Sequence, residues 1–460
     1  MASSSILSAL SSSGLGIGQG LDVTTTVAQL IAGLRGPEQV WQTQQQILQN
    51  QSAALTQLNN EVTTLGNAVN SLTDVSGAIN ARAVTSSNTG VVTASATTAT
   101  PTGTHTIVVN SLATTASYYS DPVASSSTAI NTGTLSIQIG SNGPVSVTVD
   151  NTNNTLEGLA ASINNLGLGV SASVINDANG ARLTIVSNTS GAASDLTITD
   201  GTGGLNFTKG TSGTNASLTV DGVPISSGSN VVTGAVAGLT LNLVGSAPNT
   251  QVQIGIAPDA STIQQAVTDF VTGYNTVIQD LNSQFAYNTT TKSAGALASD
   301  SAARLVQSQL LGAMTYSRTS AAGYNTLASL GITMNDDGTL SLDNATLSNA
   351  INGNYTAVQN FFRNSAGTGF ADILQAELNG LTDPTHGAFN VDIQGLNNEV
   401  QGFQDQIDNF ELYIANEQTM LTAQYTQVSL ALQQLPLLQQ EINSELSGIT
   451  STSSSNSGSK

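Results

Sequence analysis

Apolar residues recur every seventh position over a long stretch near each end of this chain, and no other feature constrains its fold as strongly. In the first stretch Leu34, Trp41, Leu48, Leu55, Val62 and Val69 form one seam, with Leu58, Leu65 and Leu72 on a second. In the last, Val400, Ile407, Ile414, Leu421, Val428, Leu435 and Ile442 form one seam, with Leu396, Phe403, Phe410 and Leu438 on the other. A spacing of about 3.5 residues lines one helix face with side chains that need a facing helix. A helix over residues 37–79 would be roughly 60 Å long. One stripe alone serves a globular core as well as a coiled coil. Two stripes at opposite ends predict helices that pair and bracket what lies between. Gln44, Gln51, Glu417 and Gln424 interrupt the second seam, where polar groups either fix register or face water. Pro436 is expected to kink or end the last helix, leaving a separable segment over residues 437–446.

Ahead of the first seam, Asp22 is placed to cap a short helix that Gly33, Gly36 and Pro37 interrupt, so a hinge is expected near residue 36. Over residues 83–257 the apolar period falls to two, as in HTIVV, TLSIQI, VSVTV and ASLTV, which predicts strands bounded by Gly, Asn and Asp turns. Residues 170–187 read as a hairpin turned at Ala178, Asn179 and Gly180, preceded by a short helix with Leu156, Leu159 and Ile163 inward. Helices return after Pro258. Ile263, Val267, Phe270, Val271, Tyr274, Val277, Ile278 and Leu281 share one face that needs a partner, which the terminal helices would supply. A further hairpin is expected over residues 332–343, turning at Asp336, Asp337 and Gly338. The fold class is therefore α+β and multidomain: coiled-coil helices from both termini bracket β-rich domains inserted between them. A chain of 460 residues has room for about two to four domains.

Only 8% of residues are charged, with 9 Lys+Arg against 29 Asp+Glu and a formal net charge of −20. A nucleic-acid surface needs clustered cations to displace phosphate counterions, so no nucleic acid is expected as a partner. The N-terminal stretch has neither a basic n-region nor a sustained apolar run, so neither a cleaved signal peptide nor membrane insertion is expected. Residues 1–20 and 450–460 are Ser/Gly-rich tails. There is no Cys, and the two histidines, His105 and His386, cannot supply a zinc spacing. Gly16, Gly18 and Gly20 follow no strand and so do not make a nucleotide loop, and the Asn335–Gly338 turn lacks the alternating oxygens and later Glu of a calcium loop. No GxSxG elbow marks a nucleophile. Neither an enzyme nor a cofactor is expected.

Several blocks, in order, resemble the flagellar filament-capping proteins, the hook-associated protein 2 family. GLDVTTTVAQLIAGLRGPEQV resembles that family's opening helix and its Arg-x-Pro entry into a long helix. Residues 155–199 are similar to the hook-associated "IN" motif, with Ile163 and Asn164 at its name positions. ASLTVDGVPI, FVTGYNTVIQDLN and LASLGITMNDDGTLSLD resemble later family blocks, and the likeness spans nearly the whole chain. It departs in the ANEQTMLTAQYTQ region, which lacks expected basic residues, and at Pro436.

The resemblance implies a nested chain. Residues 1–36 with 437–460 would form a flexible terminal domain, 37–82 with 258–436 a helical leg domain, 83–118 with 210–257 a β-rich head domain, and 119–209 a second head domain carrying the "IN" motif. It further implies export without a cleaved signal peptide, an extracellular place at the distal tip of the bacterial flagellar filament, a ring-shaped homo-oligomer, and promotion of flagellin polymerisation without leakage of monomers. Implied partners are other copies of the chain, flagellin and a flagellar export chaperone, with a hook–filament junction protein or host glycans as further candidates. Two alternatives stay open: another axial component, such as a hook–filament junction protein or flagellin-like subunit, and an adhesin whose head binds host glycans. In this reading Leu55–Leu72 close on the 400–421 region within one subunit. Leu34, Trp41, Leu48 and Leu55, with Leu421, Val428, Leu435 and Leu438 opposite, are the candidates for docking into filament subunits.

Overall fold

The computed structural model describes residues 21–290, 292–319 and 323–454. The Ser/Gly-rich tails over 1–20 and 455–460, with the Gly16, Gly18 and Gly20 run, lie outside the described residues. Helix α1 (Val23–Leu34) starts where Asp22 accepts a hydrogen bond from the Thr25 N–H at 3.1 Å. Helix α2 (Gly36–Thr73) follows after Arg35 alone, with Pro37 in its first turn, where a missing N–H costs nothing. It stops short of residue 79 because Asp74 turns extended and the chain bends tightly: a side chain on Gly77 would meet the Ser71 carbonyl at 2.3 Å. A single 3-10 turn, Ala78–Asn80, leads into the sheets.

Strands β1 (Arg82–Ser86), β2 (Val92–Ala96) and β3 (Gly103–Ser111) are followed by β4 (Ser117–Tyr119), β5 (Gly133–Ile139), β6 (Val145–Val149), helix α3 (Leu156–Asn165), β7 (Val170–Asp177), β8 (Gly180–Ser187), β9 (Leu196–Asp200) and β10 (Thr208–Thr211). Then come β11 (Ala216–Val220), β12 (Val223–Ser227), β13 (Val231–Val236), β14 (Leu239–Leu243) and β15 (Val252–Pro258). All pairings are antiparallel, and two apolar clusters result. The sheets β1-β15-β3-β11-β12 and β13-β14-β2 enclose Val92, Ile107, Leu218, Leu241 and Ile254. The sheets β10-β4-β8-β7 and β6-β5-β9, with α3, enclose Leu135, Leu159, Ile163, Leu183 and Ile185. A narrow neck joins them, where Thr114 and Thr214 exchange backbone hydrogen bonds of 3.0 and 3.3 Å.

Helix α4 (Ala260–Phe285) buries all eight residues of the face read from its sequence. The minor hairpin β16 (Tyr287–Asn288) with β17 (Ser293–Ala294), helix α5 (Ser301–Ala313), the hairpin β18 (Ile332–Met334) with β19 (Leu340–Leu342), and helices α6 (Asn344–Phe362) and α7 (Phe370–Thr382) follow. They complete one core around α2. Leu55, Leu58, Val62, Leu65, Val69 and Leu72 lie in it with Phe270, Phe361, Phe362 and Phe370, whose rings meet edge-on at 5.4–5.5 Å. These α2 residues thus do not close on residues 400–421. The α4 and α7 faces need an apolar surface, and α2 supplies it, while α6 packs on α4 and α7.

The last helix, α8 (Ala388–Ser454), runs through Pro436 without ending. This corrects the expected interruption and the separable segment over 437–446. Proline removes one i→i−4 hydrogen bond and crowds the preceding turn, a local cost of about 3 kcal/mol that the surrounding Leu- and Gln-rich helix absorbs. Helices and antiparallel sheets segregate along the chain, which makes it a multidomain α+β protein.

Several buried polar atoms of the helical region lack a partner, and one of them lies in the apolar core itself: the Tyr274 hydroxyl is fully buried with no hydrogen bond to any described residue, and burial pushes its phenol up to about 12. Tyr274→Phe is therefore expected to raise the unfolding free energy by about 1 kcal/mol, whereas Leu65→Ala should lower it by about 2–5 kcal/mol. Urea denaturation of both variants checks this; a Phe variant less stable than wild type contradicts it.

Candidate assembly surface

Helix α8 lies antiparallel along α2 and then α1, and the contacts between them step in opposite directions along the two ends of the chain. The Ser52 hydroxyl meets Asn397 at 3.0 Å, the Gln45 amide donates to Gln404 at 2.9 Å and to the Val400 carbonyl at 3.3 Å, and Trp41 packs edge-on to Phe410 with ring centroids 5.4 Å apart. Farther out, Val27 and Ile31 of α1 bury against Ile414, with Phe410, Leu421 and Tyr425 beside them. The last rung has the Ser429 hydroxyl donating to the Leu21 carbonyl at 3.3 Å. Most of this seam is polar or aromatic. Gln44 and Gln424 face solvent, Gln51 and Glu417 are half-buried, and the amide pair that ties the helices together is Gln45 with Gln404. A bonded amide pair inside a helix seam favours one register over its neighbours.

At the joint between α1 and α2, Arg35 holds three elements at once. Its guanidinium grips both carboxylate oxygens of Glu411 at 2.5 and 2.9 Å and reaches back to Glu38 at 2.6 Å. Gln42 donates to the other Glu38 oxygen at 2.8 Å, so this buried carboxylate is satisfied on both sides. The fork geometry suits Arg and not Lys. The hydrogen bond from Arg35 holds the Glu411 carboxyl below its usual range, and Glu411 in turn raises the guanidinium further.

The residues of the sequence seams part company along α8. Ile407 and Ile414 are buried at 7% and 1% exposure, and Val400, Phe403, Phe410 and Leu421 are half-buried. Val428, Leu435, Leu438 and Ile442 are 48–56% exposed, with Leu430, Leu437 and Leu446 also exposed around them. An α-helix that is not supercoiled drifts about 20° per heptad against a strict seven-residue repeat. Beyond Leu421 the covered face moves to Tyr425, Ser429, Leu432 and Pro436, while the seven-residue series rotates into solvent. At 1.5 Å per residue the exposed apolar strip from Val428 to Leu446 is about 27 Å long. On the other side of the leg, Leu34 is exposed and Trp41 half-buried, but Leu48 and Leu55 are buried at 6% and 0% within the chain and have no surface to dock with a partner. Sequence reasoning missed Arg35, Glu411 and Gln45. The Arg-Gly-Pro-Glu spacing was the available sign for the first, since Arg and Glu three apart on a helix start can pair.

No helix of the described residues is long and apolar enough to cross a membrane. His105 lies beside Asp221, Nδ1 to Oδ2 at 2.7 Å, and His386 is open to solvent near Asp383. Among the described residues no three His, Cys, Asp or Glu side chains gather as metal ligands.

Comparison with known proteins identifies relatives of this architecture. The family profile for the flagellar hook-associated protein 2 N-terminus matches residues 19–116, and that for its C-terminus matches residues 213–436. The B-type flagellar hook-associated protein 2 of Pseudomonas aeruginosa is 28% identical over 66% of this chain and 70% of its own length. That of Helicobacter pylori is 32% identical, over 33% of this chain and 22% of its own length. The chain thus spans only about a fifth of that curated relative, and 27% of the Vibrio parahaemolyticus polar flagellar protein at 32% identity. The crystal structure of the D1-D2-D3 domains of the Escherichia coli flagellar cap protein superposes with a TM-score of 0.62 at 29% identity, over 75% of this chain and 99% of that one.

The Arg35 joint has a pH signature. A carboxyl whose folded pKa is depressed stabilises the fold above its unfolded pKa and loses that contribution as pH falls through the folded one. Protection of α1 amides against hydrogen exchange, taken relative to the intrinsic rate at each pH, should therefore hold from pH 7 down to the ordinary carboxylate range and fall only below it. In Glu411→Gln it should be lower than in wild type at pH 7 and show less added change on acidification. Equal protection in the two proteins across that range contradicts the assignment.

Proposed function

Because the chain belongs to the flagellar hook-associated protein 2 family, we propose that it is the structural cap at the distal end of a bacterial flagellar filament, an extracellular part that assembles with copies of itself and promotes flagellin insertion beneath it. The observation that carries this reading is the leg: both ends of the chain are gathered into one antiparallel helix pair, and that pair ends in an uncovered apolar strip, Val428, Leu435, Leu438 and Ile442. The cap role named for the E. coli structure comes to this chain through that shared architecture. In this reading residues 37–82 with 258–436 are the leg, 83–118 with 210–257 and 119–209 are the heads, and 1–36 with 437–460 form the terminal part that meets the filament.

The mechanism follows from the strength and number of the contacts. Burying one Leu or Val side chain contributes roughly 1.5–3 kcal/mol, so a strip of four attaches one leg firmly yet reversibly. Several legs joined through their heads raise the effective concentration of any released leg near its site, so the cap holds while single legs let go. Such stepwise release lets a cap advance as subunits enter. The Leu48 and Leu55 part of the earlier docking set gives way to the α8 strip, since those side chains are buried in the leg.

The reading predicts that Leu435→Gln, Leu438→Gln and Ile442→Gln together leave the helical content unchanged, yet shorten filaments and release flagellin monomer into the medium. Leu55→Gln should instead unfold the leg. Filaments of wild-type length and no leaked monomer from the triple variant would sink the proposal.

A further inference from the structure

Three asparagines on different elements each close on the backbone of one distant residue through both ends of the side-chain amide. Asn164, at the end of α3, donates to the Ala172 carbonyl at 2.8 Å and accepts from the Ala172 N–H at 2.8 Å. Asn230 holds Ala113 at 2.9 and 2.7 Å, and Asn275 on α4 holds Leu340 at 2.8 and 2.6 Å. A primary amide presents the same donor and acceptor as a peptide unit. On the strand residues Ala172 and Leu340 the grip is a rung of β-ladder made by a side chain.

The Asn164 rung sits on a sheet margin. Strand β7 is the terminal strand of β10-β4-β8-β7 and pairs only with β8, from Val170 opposite Ser187 to Asp177 opposite Gly180. On an antiparallel edge, alternate residues turn both N–H and C=O outward. Ala172 does so toward Asn164, which puts Val174 in the same outward set. The strand VSASVIND carries none of the usual edge guards: it has no Pro and no Lys or Arg, its single charge lies at its end, and Ile175 is 53% exposed. The neighbouring Ile163 is fully buried in the core beneath α3, which fixes the helix end so that Asn164 arrives at the margin. This gives both residues of the Ile163–Asn164 pair a physical task.

We propose that Asn164 is an edge plug, closing β7 against the β7 strand of a second copy of this chain. The second copy is the occupant the geometry favours because an antiparallel pair of identical edges is self-complementary: the outward groups of one β7 meet the same set on the other without needing another sequence. The plug keeps the head from associating through its sheets, so that copies meet only through other surfaces.

The test uses the full chain with Asn164→Ala and Asn164→Asp, read by sedimentation velocity over a concentration series and by hydrogen exchange at the Ala172 amide. In Asn164→Ala that amide should exchange on the order of tenfold faster, as expected for losing one hydrogen bond of ordinary net strength. Larger species than in wild type should appear and grow with concentration, and adding Ser173→Lys, which sets like charges across the paired edges, should remove them. Asn164→Asp keeps an acceptor for the Ala172 N–H and places a charge at the margin, so it should sediment as wild type. The proposal is overturned if Asn164→Ala sediments as wild type at every concentration, if Ser173→Lys fails to reverse its association, or if Asn164→Asp associates equally. An Ala variant that no longer folds overturns it too, because a plug leaves the core of Leu156, Leu159 and Ile163 untouched.

Discussion

Everything between residues 74 and 387 is an excursion from one pair of helices, so the antiparallel seam of α2 and α1 with α8 is the contact on which the rest depends. Its character changes along its length. Near the heads α2 is dry, with Leu58, Leu65 and Leu72 fully buried among the aromatic rings of α4, α6 and α7. In the middle the seam is mixed, held by Gln45 with Gln404, Trp41 on Phe410 and the Arg35 fork. From Val428 on, its seven-residue series Val428, Leu435 and Ile442 is exposed. This gradient places rigidity where the heads must be held and leaves free apolar surface at the far end, where a filament would lie.

The sequence made the elements legible and their partners less so. Seven-residue seams, the Asp22 cap, the α4 face and both hairpins appear where the residues put them, because each depends on neighbours within a few positions. What a seam faces is decided elsewhere. Leu55 to Leu72 could as well have met the 400–421 stretch of α8, but α4 and α7 compete for the same stripe and take it. Which seam residues of α8 end in solvent depends on whether the helices supercoil, a property of the pair and not of either sequence. Pro436 failed as a boundary because one missing hydrogen bond is a small defect in a helix of 67 residues.

The low charge has a counterpart in how the chain uses its acids. Asp22, Asp259, Asp300 and Asp343 each accept backbone N–H groups at a helix start. Thr or Ser hydroxyl donors lead the effects holding Asp22, Asp259 and Asp343 below their usual range. Much of the acidic excess is thus spoken for locally by caps and turns, which need an anion at the positive end of a helix. Amides do the corresponding work on the sheets, where Asn164 and Asn275 stand in for missing strand neighbours and Asn230 ties down the connection after β3. Solubility and fold specificity come from the same polar, mostly uncharged residue types.

Because the chain has no cysteine, the central claim, that the outer strip of α8 is the surface used on the filament, can be measured by placing one there. Maleimide labelling of Leu438→Cys should be fast in the free protein and at least roughly tenfold slower once the protein is bound at filament ends, as burial of a side chain in a packed contact requires. A control cysteine at the exposed head position Ser226 should label at one rate in both states. Equal labelling of Leu438→Cys, free and bound, would contradict the account.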